Sequence, residues 1–264
     1  MKNITVIKIG GSTFSSRDTT IEDIVALQKN NHPLVVVHGG GGTITEWLTR
    51  QGVATKFVRG ERVTDLPSLE VVTAVLAGLV NKEITAAINI RGGRAVGISG
   101  VDGALVESRV KNKDLGYVGS AEKVNKDILE TLLNDGFVPV VSPVSLYSLD
   151  RPEGAPGVIN VNGDPIAGEL AAALEAERLI FLTDVEGIKD QSGNVITQLS
   201  GKEAEALIDS GVIAGGMIPK VNACLKALNA GTIARIIDGR KPHALLKEVE
   251  NGDGGTTIKE KVEE

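Results

Sequence analysis

The feature that most constrains the fold is the alternation of short apolar runs with amphipathic helical stretches along the whole chain. The runs "ITVIKIG" (4–10), "PLVVVHG" (33–39), "RAVGISG" (94–100), "VPVVSPV" (138–144), "RLIFLTD" (178–184) and "IARIIDG" (233–239) read as strands buried on both faces. Helical periodicity falls between them, at 20–30, 41–51, 68–90, 125–134, 164–176, 201–209 and 219–230. Doubly buried strands joined through helices of this length imply a mostly parallel sheet covered on both sides. The expected class is therefore α/β, a three-layer αβα sandwich around a central, mostly parallel sheet. Three shorter pairs read as inserted hairpins, at 54–64, 104–124 and 187–196, the last with an "SGN" turn signal.

Aromatic residues make up only 3% of the 264 residues, so Val, Ile, Leu and Ala must build the core. The formal charge of −6 argues against nucleic acid as a partner, and any anion must be held by a locally built site. One cysteine, Cys224, excludes an intramolecular disulfide or a cysteine-rich metal centre, and His32, His38 and His243 lack metal-ligand spacing. No segment approaches 18 uncharged apolar residues and no basic, signal-like start precedes residue 4, so no membrane association and a cytoplasmic location are expected.

Open α/β sheets bind ligands beyond the carboxyl ends of their strands. Here those ends carry Lys8-Ile9-Gly10-Gly11, His38 followed by Gly39 to Gly42, and Asp184 followed by Gly187. A strand–glycine–helix junction offers unpaired backbone N–H groups to an anion, reinforced by the helix dipole. The glycine run is then a place where phosphate or a charged acyl group lies on bare backbone; the competing reading is a tight turn needing positive φ. It is neither a Walker A loop, lacking Gly-Lys-Ser/Thr, nor a dinucleotide fingerprint, because Ile44 occupies the last glycine position.

Four further residues stand out, each with a plainer alternative. Lys8, among apolar neighbours, either snorkels from an edge strand or meets an anion. Lys220 follows a proline suited to the first helical position, at the positive end of the dipole, where a lysine is unfavourable unless an anion lies near or water solvates it. Asp164, before Pro165, is either a helix N-cap or, with Asn160 and Asn162, part of a polar cluster at a strand end. Arg62 offers a planar fork to a carboxylate, although surface hairpins often carry arginine.

In order and spacing, "KIGGS" (8–12), "VVVHGGGG" (35–42), "GERVTD" (60–65), "NVNGD" (160–164), "LTDVEGI" (182–188), "GGMIPKV" (215–221) and "IIDGRKPHALL" (236–246) resemble the amino acid kinase family. Within it they resemble the acetylglutamate kinase branch, over essentially the whole chain. "GERVTD" and "GGMIPKV" separate this branch from carbamate, aspartate and uridylate kinases. The resemblance implies transfer of the ATP γ-phosphate to the side-chain carboxylate of N-acetyl-L-glutamate, giving N-acetyl-L-glutamyl 5-phosphate, the second step of arginine biosynthesis. It implies catalytic roles for Lys8 and Lys220 on either side of the phosphoryl group, with Asp164 orienting both. Gly40, Gly41, Arg62 and Asn160 would hold the acyl amino acid, Arg62 by its α-carboxylate. Gly10, Gly11, Asp184, Val185, Glu186, Gly187, Ile188, Lys189, Val212, Ile213 and Ala214 would line the ATP site. Mg²⁺ would be carried on ATP rather than in a protein cage.

The chemistry agrees, since a carboxylate is already a nucleophile at neutral pH and needs alignment and charge neutralisation rather than a general base. Residues 1–176 would form a lobe for substrate binding and dimerisation, and 177–264 a lobe for ATP. Gly163 stands where the family more often has alanine. "SGVDG" (99–103) also occurs in aminoadipate-directed kinases of lysine biosynthesis, but Arg62 within "GERVTD" and Asn162 favour acetylglutamate. Retention of both lysines and Asp164 argues against a non-catalytic acetylglutamate- or nucleotide-sensing subunit. Arginine-inhibited family members carry an extra N-terminal helix. With the first strand starting near Ile4, a homodimer with the long 68–90 helix and its neighbouring strand at the interface, and little arginine inhibition, are expected.

Overall fold

The computed structural model describes residues 3–10, 19–58, 60–252 and 254–260. From the N-terminus come β1 (Thr5–Ile9), α1 (Thr20–Lys29), β2 (Leu34–His38), α2 (Gly41–Arg50) and a two-stranded hairpin of β3 (Phe57–Val58) and β4 (Glu61–Arg62). A long helix follows in three parts: α3 (Leu66–Thr73), a π-helical stretch (Ala74–Val80) and α4 (Asn81–Ile90). Next are β5 (Ala95–Gly100), β6 (Val106–Val110), β7 (Val118–Val124), α5 (Asp127–Asn134), β8 (Val138–Tyr147), β9 (Val158–Val161) and α6 (Gly163–Ala173). The chain closes with β10 (Arg178–Thr183), β11 (Gln198–Leu199), α7 (Gly201–Asp209), α8 (Met217–Leu228), β12 (Ile233–Asp238), α9 (Ala244–Asn251) and β13 (Thr256–Ile258).

Among the described residues eleven strands form one sheet, whose centre, β12-β10-β1-β2-β8 with β5 beside β8, is parallel. Antiparallel strand pairing within this sheet is confined, among the described residues, to β6–β7, β8–β9 and β12–β13. The expected three layers form because alternate strand residues enter different cores. Val6, Val35, Val37, Leu179 and Phe181 join one core with α5, α6, α7 and α8. Ile7, Ile9, Leu34, Val36, Ile180 and Leu182 join the other with α1, α2, the long helix and α9. This period of two decides where the strand-end side chains go. Lys8 shares the parity of Val6 and faces α6 and α8; His38 shares that of Leu34 and Val36 and faces the long helix.

The 54–64 and 104–124 hairpins form as β3–β4 and β6–β7. The 187–196 segment differs, keeping only a single bridge, Lys189 to Val195. Its turn is instead pinned by the Asp190 carboxylate, which accepts from the N–H groups of Ser192 and Asn194 at 2.8 and 2.9 Å. The helix Leu66–Ile90 is long and apolar enough to cross a membrane by length and composition. Its Leu69, Val72, Val75, Leu76, Ile84 and Ile88 are buried in the protein's own core.

Candidate active site

Asp164 lies in the first turn of α6, buried at the end of β1. It is not the helix cap. Asn162 holds that position, its side-chain oxygen accepting from the Asp164 N–H at 2.9 Å. Freed from capping, both carboxylate oxygens face ammonium groups: Lys8 Nζ is 2.6 Å from Oδ1 and Lys220 Nζ is 2.9 Å from Oδ2. Lys220 is in the first turn of α8, with Pro219 as the third helical residue rather than the first.

Close packing of α6 on α8 brings the second lysine into range. A Cβ on Gly168 would stand 2.7 Å from the Ala223 carbonyl oxygen and 2.8 Å from its Cα, so only glycine permits this approach. Burial opposes ionisation of Asp164, but the charges of Lys8 and Lys220 outweigh it and hold the carboxyl below its ordinary range. Two ammonium groups around one carboxylate leave a net positive charge. A protein of overall charge −6 thereby carries a locally positive spot suited to an anion.

The glycine run lies across the strand edge from this triangle. Gly40 precedes α2 without a side-chain cap, leaving the N–H groups of the first turn open to a ligand. A Cβ on Gly40 would stand 2.7 Å from Leu76 Cδ2 of the long helix, whereas nothing lies within 4 Å of one on Gly41 or Gly42. Packing therefore favours glycine at Gly40, where a Cβ would have to push the tip of Leu76 aside, while at Gly41 and Gly42 the space is open.

A cavity of 220 Å³ brings together Gly40, Gly41, Arg62 and Asn160, four of the expected substrate contacts. Arg62 Nη2 donates to Thr45 Oγ1 at 2.7 Å and to the Gly41 carbonyl at 3.2 Å, and the guanidinium lies 4.7 Å from the Phe57 ring centroid. Its Nη1 is buried with no partner among the described residues. An orphaned guanidinium nitrogen in a small cavity suits an incoming carboxylate. Asn160 Nδ2 donates to Thr64 Oγ1 at 3.1 Å. The cavity is also lined by Phe57, Glu61, Leu76 and Pro143, which the sequence did not single out.

A second cavity, of 480 Å³, is lined by Asp184, Val185, Glu186, Gly187, Ile188, Lys189, Val212, Ile213 and Ala214. All nine were expected together. Met217 and Arg240 complete it. Arg240 lies within the quoted "IIDGRKPHALL" motif and grips Asp238 with two hydrogen bonds of 2.8 and 2.9 Å, but no spacing rule pointed from it to the cavity. Gly10 follows β1 directly and lines neither cavity; Gly11 lies outside the described residues. Gly163, next to Asp164 in the chain, lines the smaller space, and Met217, three residues before Lys220 on α8, lines the larger.

The profile of the amino acid kinase family matches residues 3–238. The chain belongs to the amino acid kinase family. An acetylglutamate kinase of Dehalococcoides mccartyi is 50% identical over 256 residues, covering 97% of this chain and 94% of that protein. Among solved structures, the N-acetylglutamate synthase of Neisseria gonorrhoeae, complexed with coenzyme A and N-acetyl-glutamate, superposes with a TM-score of 0.83 at 26% identity. That match covers 99% of this chain and 60% of the synthase. The carbamate kinase of Giardia lamblia has the same amino acid kinase fold, with a TM-score of 0.72 at 19% identity over 98% of this chain and 99% of that one.

Proposed function

We propose that this amino acid kinase transfers the γ-phosphoryl group of ATP to the side-chain carboxylate of N-acetyl-L-glutamate, as the second step of arginine biosynthesis. The observation that carries the reading is the Lys8–Asp164–Lys220 triangle, together with two cavities of unequal size whose linings include chain neighbours of Asp164 and Lys220. The larger falls within the roughly 300–1,000 Å³ of common small-molecule sites, and the smaller suits a compact acyl amino acid. Relatives named acetylglutamate kinase support the choice of substrate.

In this scheme the orphaned Arg62 nitrogen and Asn160 hold the acyl amino acid, and Gly40 and Gly41 border it. A carboxylate oxygen bonds to the γ-phosphorus as the bridging β–γ oxygen leaves on ADP; no proton need be removed. Charge spreading over the phosphoryl oxygens meets Lys8 and Lys220, which Asp164 holds apart and aimed. Mg²⁺ on the ATP phosphates would neutralise charge on the leaving side. Asp164 has both oxygens engaged by ammonium groups, so the donor set favours a metal carried by the nucleotide.

The cavity linings also support a division of labour, residues 1–176 serving the acyl substrate and 177–264 the nucleotide. We assign the long helix to a homodimer interface, since Ala74, Ala86 and Ile90 are exposed on it. Light scattering tests this, and a monomer refutes it. The activity is tested by ADP release with acetylglutamate, acetyl-aminoadipate and glutamate in parallel. Acetylglutamate should be the best acceptor; preference for acetyl-aminoadipate, or ATP binding without turnover, would overturn the reading.

A further inference from the structure

His38 lies at the end of β2 and is fully buried, yet no step above uses it. Its surroundings fix its chemistry. Asn81, also fully buried, is the first residue of α4, immediately after the π-helical stretch. Its Nδ2 lies 2.8 Å from the Val140 carbonyl and 3.2 Å from that of Ile98, and both of these can only accept. Its Oδ1 accepts from Lys82 Nζ at 3.1 Å. The amide orientation is thus determined, and Nδ2 also faces the imidazole Nε2, 3.2 Å away; with two protons for three neighbours it shares one of them, and it offers no lone pair to a proton on Nε2. Nε2 is therefore the bare nitrogen and Nδ1 carries the proton. That Nδ1–H donates to the Gly39 carbonyl at 2.9 Å. Burial above all, together with the nearby Lys8 and Lys82 charges, pushes the ring down to about 4, against the raising effect of the Gly39 bond, so it stays neutral.

The consequence lies in the next peptide. All peptide bonds among the described residues are trans, and in a trans peptide the C=O and N–H point in opposite directions. Turning the Gly39 carbonyl towards His38 turns the Gly40 N–H away from it. No acceptor for that N–H lies among the described residues, and Gly40 lines the acyl cavity. Leu76 and Val80, from the π-helical stretch that leads into Asn81, pack against Gly40.

We propose that His38 and Asn81 are positioning residues, which hold the Gly39–Gly40 peptide so that the Gly40 N–H is aimed at the reacting anion. This rests on the phosphoryl-transfer reading above. Neither side chain touches substrate; both act through the backbone.

Two substitutions separate aiming from mere packing. In His38→Asn the side-chain amide nitrogen takes the place of Nδ1 and can still hold the Gly39 carbonyl, but contact with Asn81 is lost. In His38→Gln the longer amide reaches Asn81 and fills more of the space, but nothing stands at Nδ1. The expected result is a crossed order: His38→Gln the more stable, His38→Asn the more active. Loss of one preorganised donor typically costs about 10²–10³ in turnover. A misaimed one should lower kcat about tenfold or more in His38→Gln, with the KM for ATP little changed. Activity that follows melting temperature, or equal kcat in the two variants, would overturn the proposal. Long-range ¹H–¹⁵N spectra of the wild-type ring test it without any turnover, and a proton on Nε2 would refute it. Wild-type protein inert towards acetylglutamate would instead refute the phosphoryl-transfer reading, which keeps the two failures apart.

Discussion

Replacing Asp164 with asparagine changes one charge and almost no volume. Because Asn162 caps α6, the helix start survives. What is lost is the anion at 2.6 Å from Lys8 and 2.9 Å from Lys220. Breaking a buried pair by removing one partner typically costs about 3–5 kcal/mol, because the other charge is stranded. The Lys8 side chain is only 8% exposed and cannot escape, whereas that of Lys220, at 23%, can swing towards water. The lower figure, about 3 kcal/mol, is therefore expected, or a melting point lower by roughly 6–12 °C on the scale for larger domains. Activity should fall further than stability explains. With both lysines free to drift from the phosphoryl group, kcat should drop at least about 10²-fold, the low end for one preorganised electrostatic contact.

The assay is turnover and melting on one preparation, with Lys8→Met/Asp164→Asn as the control. The double variant removes the stranded buried charge, so it should regain part of the lost stability and none of the activity. Near-normal turnover in Asp164→Asn would refute the catalytic role. An unchanged melting point would refute the claim that its carboxylate balances the buried charge of Lys8.

Arg62→Lys keeps the charge but loses the fork that leaves Nη1 free, so KM for acetylglutamate should rise while that for ATP stays nearly constant; steady-state kinetics decide. Gly168→Ala would force α6 from α8, and overpacking of this kind costs about 1–3 kcal/mol; both melting point and kcat should fall as Lys220 leaves Asp164. His38 is held down to about 4 by burial, so on acidification from neutral pH the unfolded chain takes up a proton that the native state refuses. Its contribution is full above about pH 6.5 and should fade by roughly 2–3 kcal/mol towards pH 4.5; urea midpoints at both pH values should show a steeper loss in wild type than in His38→Gln.

The parallel core was legible because strands buried on both faces have no other use for continuous Val and Ile. Lys8 was legible for the opposite reason, as a charge in a run that had no place for one. Asp164 was half legible. Asp-Pro at a helix start suggests a cap, and only the backbone reveals that Asn162 takes that bond two residues earlier. Arg62 on a short hairpin carried no signal of its own until Thr45 and Phe57 were seen to fix it. The short strands β11 and β13 near one end of the sheet, of two and three residues, do not register as periodic, and α9 went unseen beside them. The link from His38 to Asn81 spans 43 positions, and a π-helical stretch precedes Asn81, so an ideal 3.6-residue repeat is a poor guide to its facing.

Strand parity explains why such a site can be rigid without a metal cage. Lys8 and His38 end adjacent parallel strands in register with Phe181 and Ile9, yet they point to opposite faces of the sheet. One helical layer, α6 with α8, grips Lys8 through Asp164. The other, the long helix, grips His38 through Asn81. Charge and backbone orientation are thus supplied from different cores to the same strand edge, and neither layer must deform to serve the other. If this separation holds, Asp164→Asn and His38→Gln act on one transition state through independent supports. The His38 ring is uncharged at neutral pH, so the nearby Lys8 charge couples the two sites only weakly, and their effects on stability should then add within about 0.5 kcal/mol. A stability coupling well beyond that in the double variant would mean that the two layers are not independent, and the argument from parity would fail.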